Sequence, residues 1–148
     1  MNRKPLINIP KQKKQPKPIA KIGKRGLKDK KSRKASLDKY FELHGWDGIA
    51  REDDGQWVSQ PKGECQLCGF SIRRSDADFS HKQRASQRGS NAPENGLALH
   101  RLCHSYLHTR RDLEDICTKS PANMLNGMKV ELPDQLKMDL LRFLGLLA

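Results

Sequence analysis

Residues 65–108 have the sequence CQLCGFSIRRSDADFSHKQRASQRGSNAPENGLALHRLCHSYLH. One pair of metal-binding residue types, Cys65 and Cys68, opens this stretch, and a second pair, His100 and Cys103, follows after 31 intervening residues. Zinc in structural sites takes four nitrogen or sulfur ligands in a tetrahedron, and two short-spaced pairs brought together by a hairpin supply such a set. We therefore predict a structural zinc site with all four positions filled by Cys65, Cys68, His100 and Cys103.

Two residues compete for the fourth position at this zinc. His100 stands where a second Cys-x2-Cys pair would have its first cysteine, which favours the histidine. Cys117 is the alternative, because a helix could return it to the cluster. The simpler interpretation of Cys117 is a small buried apolar residue.

Turn residues divide the same region into short elements. The pattern favours one strand around 70–73, a second over 77–81 and a third over 97–99, with a polar loop at 82–94. The run 101–118 is typical of a helix. We therefore expect a small α+β fold in which a hairpin and a helix form the core around a zinc knuckle, with flanking helices.

The basic charge of the chain is concentrated at its N-terminus. The formal net charge is +12, yet residues 1–36 contain 14 Lys and Arg against one acid, and the remainder is close to neutral. Residues 1–35 have too little apolar surface to offset their ordering entropy, so we predict a disordered basic arm. Such an arm binds polyanions by releasing counterions; a solubilising extension is the alternative.

The expected location of the protein follows from the kinds of targeting and membrane segment that the sequence lacks. It has no apolar run fit for a signal peptide or a membrane span, and the basic arm lacks the aromatic anchors of an interfacial helix. We therefore expect an intracellular, cytoplasmic protein without a membrane partner. Cysteine pairs in a reducing compartment more often bind metal than form disulfides.

The segments on either side of the zinc pattern have weaker signals. A short helix is predicted to begin at Ser36 as its N-cap and to end at Gly45. The turn-rich residues that follow favour a loop with a strand near Trp57. Apolar residues recur at spacings of three and four between 132 and 147, which predicts an amphipathic helix that packs on the domain or pairs with a partner protein or a second copy. The predicted segments are 1–35, 36–63, 64–118 and 119–148.

Three histidines and an asparagine add a second pattern to the zinc pattern. His81 ends the second predicted strand, Asn95 precedes the third, and His104 and His108 share a face of the predicted helix. Together with the ligand pairs, this order resembles the HNH or ββα-metal (His-Me finger) nucleases, in particular the zinc-knuckle members found in phages and mobile elements. The resemblance covers residues 64–111, about a third of the chain.

The resemblance implies a role for each residue of this second pattern. His81 would be the general base that takes a proton from the attacking water, and Asn95 would tether the loop that keeps His81 oriented. His104 and His108 would bind the catalytic Mg²⁺, Mn²⁺ or Ni²⁺ ion, which neutralises charge on the leaving oxygen. The expected activity is hydrolysis of DNA phosphodiester bonds, in the host cytoplasm if the chain is phage-encoded.

The sequence departs from the family pattern at one position. Many family members have Asp or His immediately before the general base, where it also binds the metal, but Ser80 stands there in this chain. Asp78, on the same strand face as Ser80, is the candidate for the missing ligand, although it also fits a solvated loop acid. The departure leaves open a degenerate copy without catalysis.

Basic side chains within 73–111 favour nucleic acid as the partner, because guanidinium and ammonium groups suit phosphate oxygens. We expect duplex or branched DNA, and RNA is not excluded. A non-catalytic, zinc-stabilised nucleic-acid-binding module is the main alternative to a nuclease, and a small basic structural protein that binds structured RNA is a third. The predicted contact residues are Arg73, Arg74, Lys82, Arg84, Arg88, Arg101, Arg110 and Arg111.

Overall fold

The computed structural model describes residues 23–51 and 54–147. Within these ranges, four α-helices surround two small antiparallel sheets. The elements in chain order are α1 (Lys24–His44), β1 (Trp46–Arg51), β2 (Trp57–Glu64), β3 (Ser71–Arg73), β4 (Ala77–His81), β5 (Gly96–His100), α2 (Arg101–Thr109), α3 (Arg111–Lys119) and α4 (Asp134–Phe143).

The second sheet and the helix after it form the centre of the domain. Strands β4 and β5 pair antiparallel, with Ala77 opposite His100 and His81 opposite Gly96, and α2 begins directly after β5. Leu97 and Leu99 are fully buried in the core under this hairpin. The predicted α+β fold with a hairpin-plus-helix, ββα-metal core is therefore confirmed.

Strands β1 and β2 of the first sheet form in a region that the sequence predicted to be mostly loop. Strands β1 and β2 form an antiparallel hairpin with Trp46 opposite Lys62, and β3 pairs with the far end of β2. The loop prediction was wrong because Asp54 and Gly55 lie between two paired strands rather than in a continuous irregular segment.

Helix α1 begins twelve residues earlier than the sequence predicted. It starts at Lys24, so the prediction of disorder is wrong for residues 24–35; the rest of the predicted arm, 1–22, lies outside the described residues. Ser36 is buried within the helix and is not its N-cap. The buried side chains of Leu37 and Tyr40 anchor the helix, and Lys, Arg and Ala then propagate it because they are good helix formers.

The helix predicted over 101–118 is two helices. Arg110 between them has an extended backbone, with φ −129° and ψ 105°. Thr109 donates its hydroxyl to the Tyr106 carbonyl at 2.7 Å, and Arg110 donates to the Tyr106 hydroxyl at 3.1 Å and to Asp112. Such local side-chain bonds compete with the helical hydrogen-bond pattern and end α2 early.

The C-terminal helix is shorter than predicted and packs on its own domain. Helix α4 covers ten residues, Asp134–Phe143, with Leu140 buried and Phe143 stacked on Tyr106 at a centroid distance of 4.4 Å. Packing is therefore the alternative that the contacts favour. No helix in the described part of the chain is long and apolar enough to cross a bilayer.

Candidate metal centre and active site

The two predicted ligand pairs meet at one point. The ligand atoms of Cys65, Cys68, His100 and Cys103 all lie within 4.8 Å of one another. Gly69, at φ +78°, reverses the chain after Cys68 and donates its N–H to the Cys65 carbonyl at 2.8 Å. The end of β5 and the first turn of α2 supply the second pair. Three sulfur atoms and one nitrogen suit zinc, so this group could hold a metal ion such as zinc.

Hydrogen bonds at this cluster leave the donor atoms ready for a metal. The His100 Nε2 donates to the Ser71 carbonyl at 3.2 Å, because a carbonyl only accepts, and Nδ1 lies 3.4 Å from the Cys68 sulfur with its lone pair available. A hydrogen bond from Cys103 holds the pKa of Cys65 well below its usual range, and the same contact raises the pKa of Cys103. The cluster therefore favours a thiolate, the form that binds metal.

Cys117, the predicted competitor, is outside this group. Its thiol is buried, and burial raises its pKa to about 12, so it stays protonated. Among the described residues, all four cysteines are free of disulfides. The fourth member of the cluster is His100.

A buried glutamine that the sequence analysis missed ties the knuckle to its surroundings. The Gln66 side chain donates through Nε2 to the carbonyls of Asn123 and Met128, both at 2.8 Å, and accepts from the Ala98 N–H at 2.9 Å. Its position between two cysteines was the available signal, but a glutamine there is ordinarily solvent-exposed. Gln66 thereby connects the zinc-knuckle turn to β5 and to the segment after α3.

A cleft of about 480 Å³ lies between the end of β4, α2 and α3. His81, at the end of β4, and His104 and His108, one turn apart on α2, all line it, as do Glu114 and Asp115 of α3. The hairpin and the helix therefore bring the three predicted histidines to one concave surface.

Two of these histidines face each other through their Nε2 atoms. The Nε2 atoms of His104 and His108 are 3.0 Å apart. The His104 Nδ1 lies 3.4 Å from an Asp78 oxygen, and the His108 Nδ1 lies 3.1 Å from a Glu114 oxygen. Because carboxylates only accept, each Nδ1 donates its proton, and in the neutral rings each Nε2 has a lone pair. A proton or a metal ion between the two Nε2 atoms satisfies both lone pairs.

The distance and the electrostatics both fit a divalent ion. Two nitrogens that each bind one ion at about 2.1 Å and at a right angle lie about 3.0 Å apart. Burial lowers the pKa of His104, which keeps the ring neutral near physiological pH. Arg84 donates to both Glu114 oxygens at 2.5 Å and holds the pKa of that carboxyl below its usual range, so Glu114 stays ionised.

Comparison with known proteins agrees with this geometry. Residues 65–110 match the family model described as HNH endonuclease, and the match includes the metal cluster and the three cleft histidines. We refer to this segment as the HNH domain, after the family model that it matches. No curated protein and no solved structure matches the chain.

The sequence departs from the family pattern at Ser80, and Asp78 was the candidate for the missing metal ligand. Asp78 contacts the Nδ1 of His104, the nitrogen that points away from His108, so its carboxylate is not on the side of the two facing Nε2 atoms. Ser80 is fully buried, and its hydroxyl has no hydrogen-bond partner among the described residues of the HNH domain. Neither side chain joins the pair of facing nitrogens.

Asn95 holds the loop of the HNH domain that follows His81. Its Oδ1 accepts from the Gln83 N–H at 2.8 Å, and its Nδ2 donates to the Gln83 and Ser90 carbonyls at 3.0 and 2.9 Å. The loop contact expected of Asn95 is present, and its part in catalysis stays a prediction. The His81 ring instead donates through Nε2 to another residue, Asn91, whose Oδ1 accepts at 2.8 Å.

The predicted nucleic-acid contacts do not form one surface around the cleft. Lys82, Arg84 and Arg111 line it, and Arg33 of α1, which the sequence analysis did not single out, lines it as well. Arg88 is exposed in a left-handed turn at φ +65°. Arg74 pairs with Asp38 and lines a neighbouring groove that His104 also lines. The others do not line the cleft and are paired with acids: Arg73 with Asp76, Arg101 with Asp78, and Arg110 with Asp112.

Proposed function

We propose that the HNH domain of this chain is a metal-dependent endonuclease that hydrolyses DNA phosphodiester bonds. The observation that carries the proposal is the His104–His108 pair, whose facing lone pairs lie in the same cleft as a third histidine, His81. Hydrolysis needs a base for the attacking water and a positive charge near the leaving oxygen, and this cleft has residues suited to both.

In the proposed reaction His81 accepts a proton from water, because an imidazole nitrogen with a free lone pair can act as a general base. His104 and His108 hold a Mg²⁺, Mn²⁺ or Ni²⁺ ion, which when bound would polarise the phosphate and neutralise charge on the leaving oxygen. Asp78 and Glu114 act as positioning residues: each accepts the Nδ1 proton of a histidine and so directs its Nε2 into the cleft.

The zinc site has a separate, structural role in this proposal. Cys65, Cys68, His100 and Cys103 would fill all four positions of a tetrahedral ion and leave none for water or substrate. The same ion would fix the start of α2, which presents His104. We place the activity inside a cell, where free thiols stay reduced.

The exposed basic half of α1 is the proposed surface for the phosphate backbone. Lys30, Arg33 and Lys34 line a groove together with Asp78 and His104, so the positive charge of α1 lies beside the metal-binding histidines. Lysine and arginine contacts to phosphate supply affinity without sequence readout. We propose duplex or branched DNA as substrate. The exposed basic residues at this end of α1 are Lys24, Arg25, Lys28, Lys30, Lys31, Arg33 and Lys34.

One observation favours a second function, a zinc-stabilised module that binds nucleic acid without cutting it. Ser80 is buried where many HNH proteins have a metal ligand, so only two protein side chains would hold the catalytic ion. A weakly held ion would limit catalysis, while the zinc cluster and α1 would serve binding equally well.

Cleavage of supercoiled plasmid separates the two functions. We expect relaxation or linearisation by wild-type protein with Mg²⁺, Mn²⁺ or Ni²⁺, none with EDTA, and none with His81→Ala. His44→Ala is the matched control, because His44 bonds the Leu125 carbonyl away from the cleft. Cleavage at the wild-type rate by folded His81→Ala would refute the assigned base. Tight binding without cleavage of plasmid, branched or single-stranded DNA would favour the binding module.

A further inference from the structure

We infer that Asn91 is the positioning residue that sets His81 for proton transfer; the inference rests on the proposed nuclease function. Asn91 lies in the loop between β4 and β5, partly buried, with its Oδ1 2.8 Å from His81 Nε2. The family pattern draws attention to Asn95, which contacts the loop backbone and not the ring.

The orientation of the Asn91 amide decides which nitrogen of His81 is basic. Its Nδ2 lies 3.4 Å from an Asp29 oxygen, and a carboxylate only accepts, so the amide nitrogen faces Asp29 and the amide oxygen faces His81. His81 must then donate its Nε2 proton to Asn91. The lone pair of His81 is left on Nδ1, the nitrogen that could accept a proton from water.

Two further contacts keep this arrangement rigid. Ser36 of α1 donates its hydroxyl to the Asn91 carbonyl at 2.6 Å, so α1 holds Asn91 through both its backbone and its side chain. The ring of Phe79 packs edge-on against the His81 ring, with the centroids 4.9 Å apart. The imidazole therefore has a hydrogen bond on one edge and an aromatic ring against it, which restrict its rotation.

The proton balance of the step gives Asn91 its function. As the water oxygen forms its bond to phosphorus and the bond to the leaving oxygen breaks, the water proton moves to His81 Nδ1, and solvent supplies the proton of the leaving group. The ring then has both nitrogens protonated. The second proton stays on Nε2 and is donated to the Asn91 oxygen, and the Asn91 amide nitrogen in turn donates to the Asp29 carboxylate, so the developing positive charge on the ring is stabilised.

Asn91→Ala tests the inference by kinetics. We expect kcat on plasmid DNA to fall about 100-fold, the scale of a misplaced catalytic group, with KM and the binding of Mn²⁺ alone unchanged. Ser86→Ala is the matched control, because Ser86 is exposed in the same loop. Asn91→Ala with kcat unchanged would overturn the inference. A loss of kcat accompanied by an equal loss of Mn²⁺ binding would overturn it too, because that result indicates a structural role.

Nitrogen NMR of ¹⁵N-histidine-labelled protein tests the contact without cleavage. We expect a single neutral tautomer of His81 with the proton on Nε2 in wild-type protein and in Ser86→Ala, and exchange between tautomers in Asn91→Ala. This tautomer result would support the positioning role of Asn91 whether or not the wild-type protein cuts DNA. Failure of the wild-type protein to cut DNA would refute the nuclease proposal but not the contact between Asn91 and His81. Mixed tautomers of His81 in folded wild-type protein would overturn the positioning role.

Discussion

Replacing the buried Gln66 with alanine should destabilise the domain far more than a glutamine substitution usually does. The change removes three hydrogen bonds, two to carbonyls of the segment after α3 and one from Ala98. Ala98 is fully buried, so its N–H loses its partner without access to water, which costs about 1–3 kcal/mol. The two carbonyls can reach solvent and lose about 1 kcal/mol each.

The expected loss is therefore about 3–5 kcal/mol of unfolding free energy, a large share of the roughly 5–15 kcal/mol typical of a domain. Urea unfolding followed by circular dichroism at 222 nm measures it. Gln135→Ala is the matched control: Gln135 is exposed on α4 with one hydrogen bond to Asp139, so its loss should stay within about 0.5 kcal/mol.

Zinc content must be the same in both proteins for this comparison, because Gln66 lies between two cluster cysteines. Released zinc is measured with a metallochromic dye after the thiols are blocked, and the unfolding curves are repeated with chelator present. A Gln66→Ala domain within about 1 kcal/mol of wild type in both conditions would refute the reasoning, since the orphaned Ala98 N–H alone predicts more.

Three further predictions follow from the metal cluster, the core and α1. Wild-type protein and Cys117→Ser should each bind one equivalent of zinc, and Cys103→Ser should bind none, as measured by the same dye. Burial raises the pKa of Tyr40 to about 12, so the stabilisation from its protonated form is complete below pH 10 and is lost as the pH rises from 10 to 12. In Tyr40→Phe the unfolding free energy should not show this alkaline loss. Lys30→Gln with Lys34→Gln should lower the slope of log affinity for duplex DNA against log salt by up to about 2, measured by fluorescence anisotropy; an unchanged slope would place the backbone contacts elsewhere.

The sequence predicted the hairpin, the helix after it and the metal cluster because those features depend on local spacing. Cys65 and Cys68 at this spacing favour a tight turn, and His100 and Cys103 supply a second short-spaced ligand pair that a hairpin can bring to the first. The positions of the hairpin and the helix could therefore be predicted from four residues whose types each indicate a metal ligand.

The contacts that complete the candidate site connect residues far apart in the chain, and the sequence did not reveal them. Asp29 and Asn91 are 62 positions apart, and neither is unusual in its own segment. The start of α1 was missed because Gly23 forms no side-chain cap, so nothing marks Lys24 as a helix start. The break after Thr109 depends on side-chain bonds to Tyr106 that the helical periodicity does not encode.

The adjacency of Cys103 and His104 limits how α2 can vary. Consecutive helical residues point about 100° apart around the axis, so a single turn of α2 presents one side chain to the metal cluster and the next to the cleft. The helix cannot rotate or slide to improve one site without displacing the other. For protein engineering, the knuckle and the cleft histidines are therefore one inseparable unit: grafting either onto another scaffold requires the helical phase of both to be copied together.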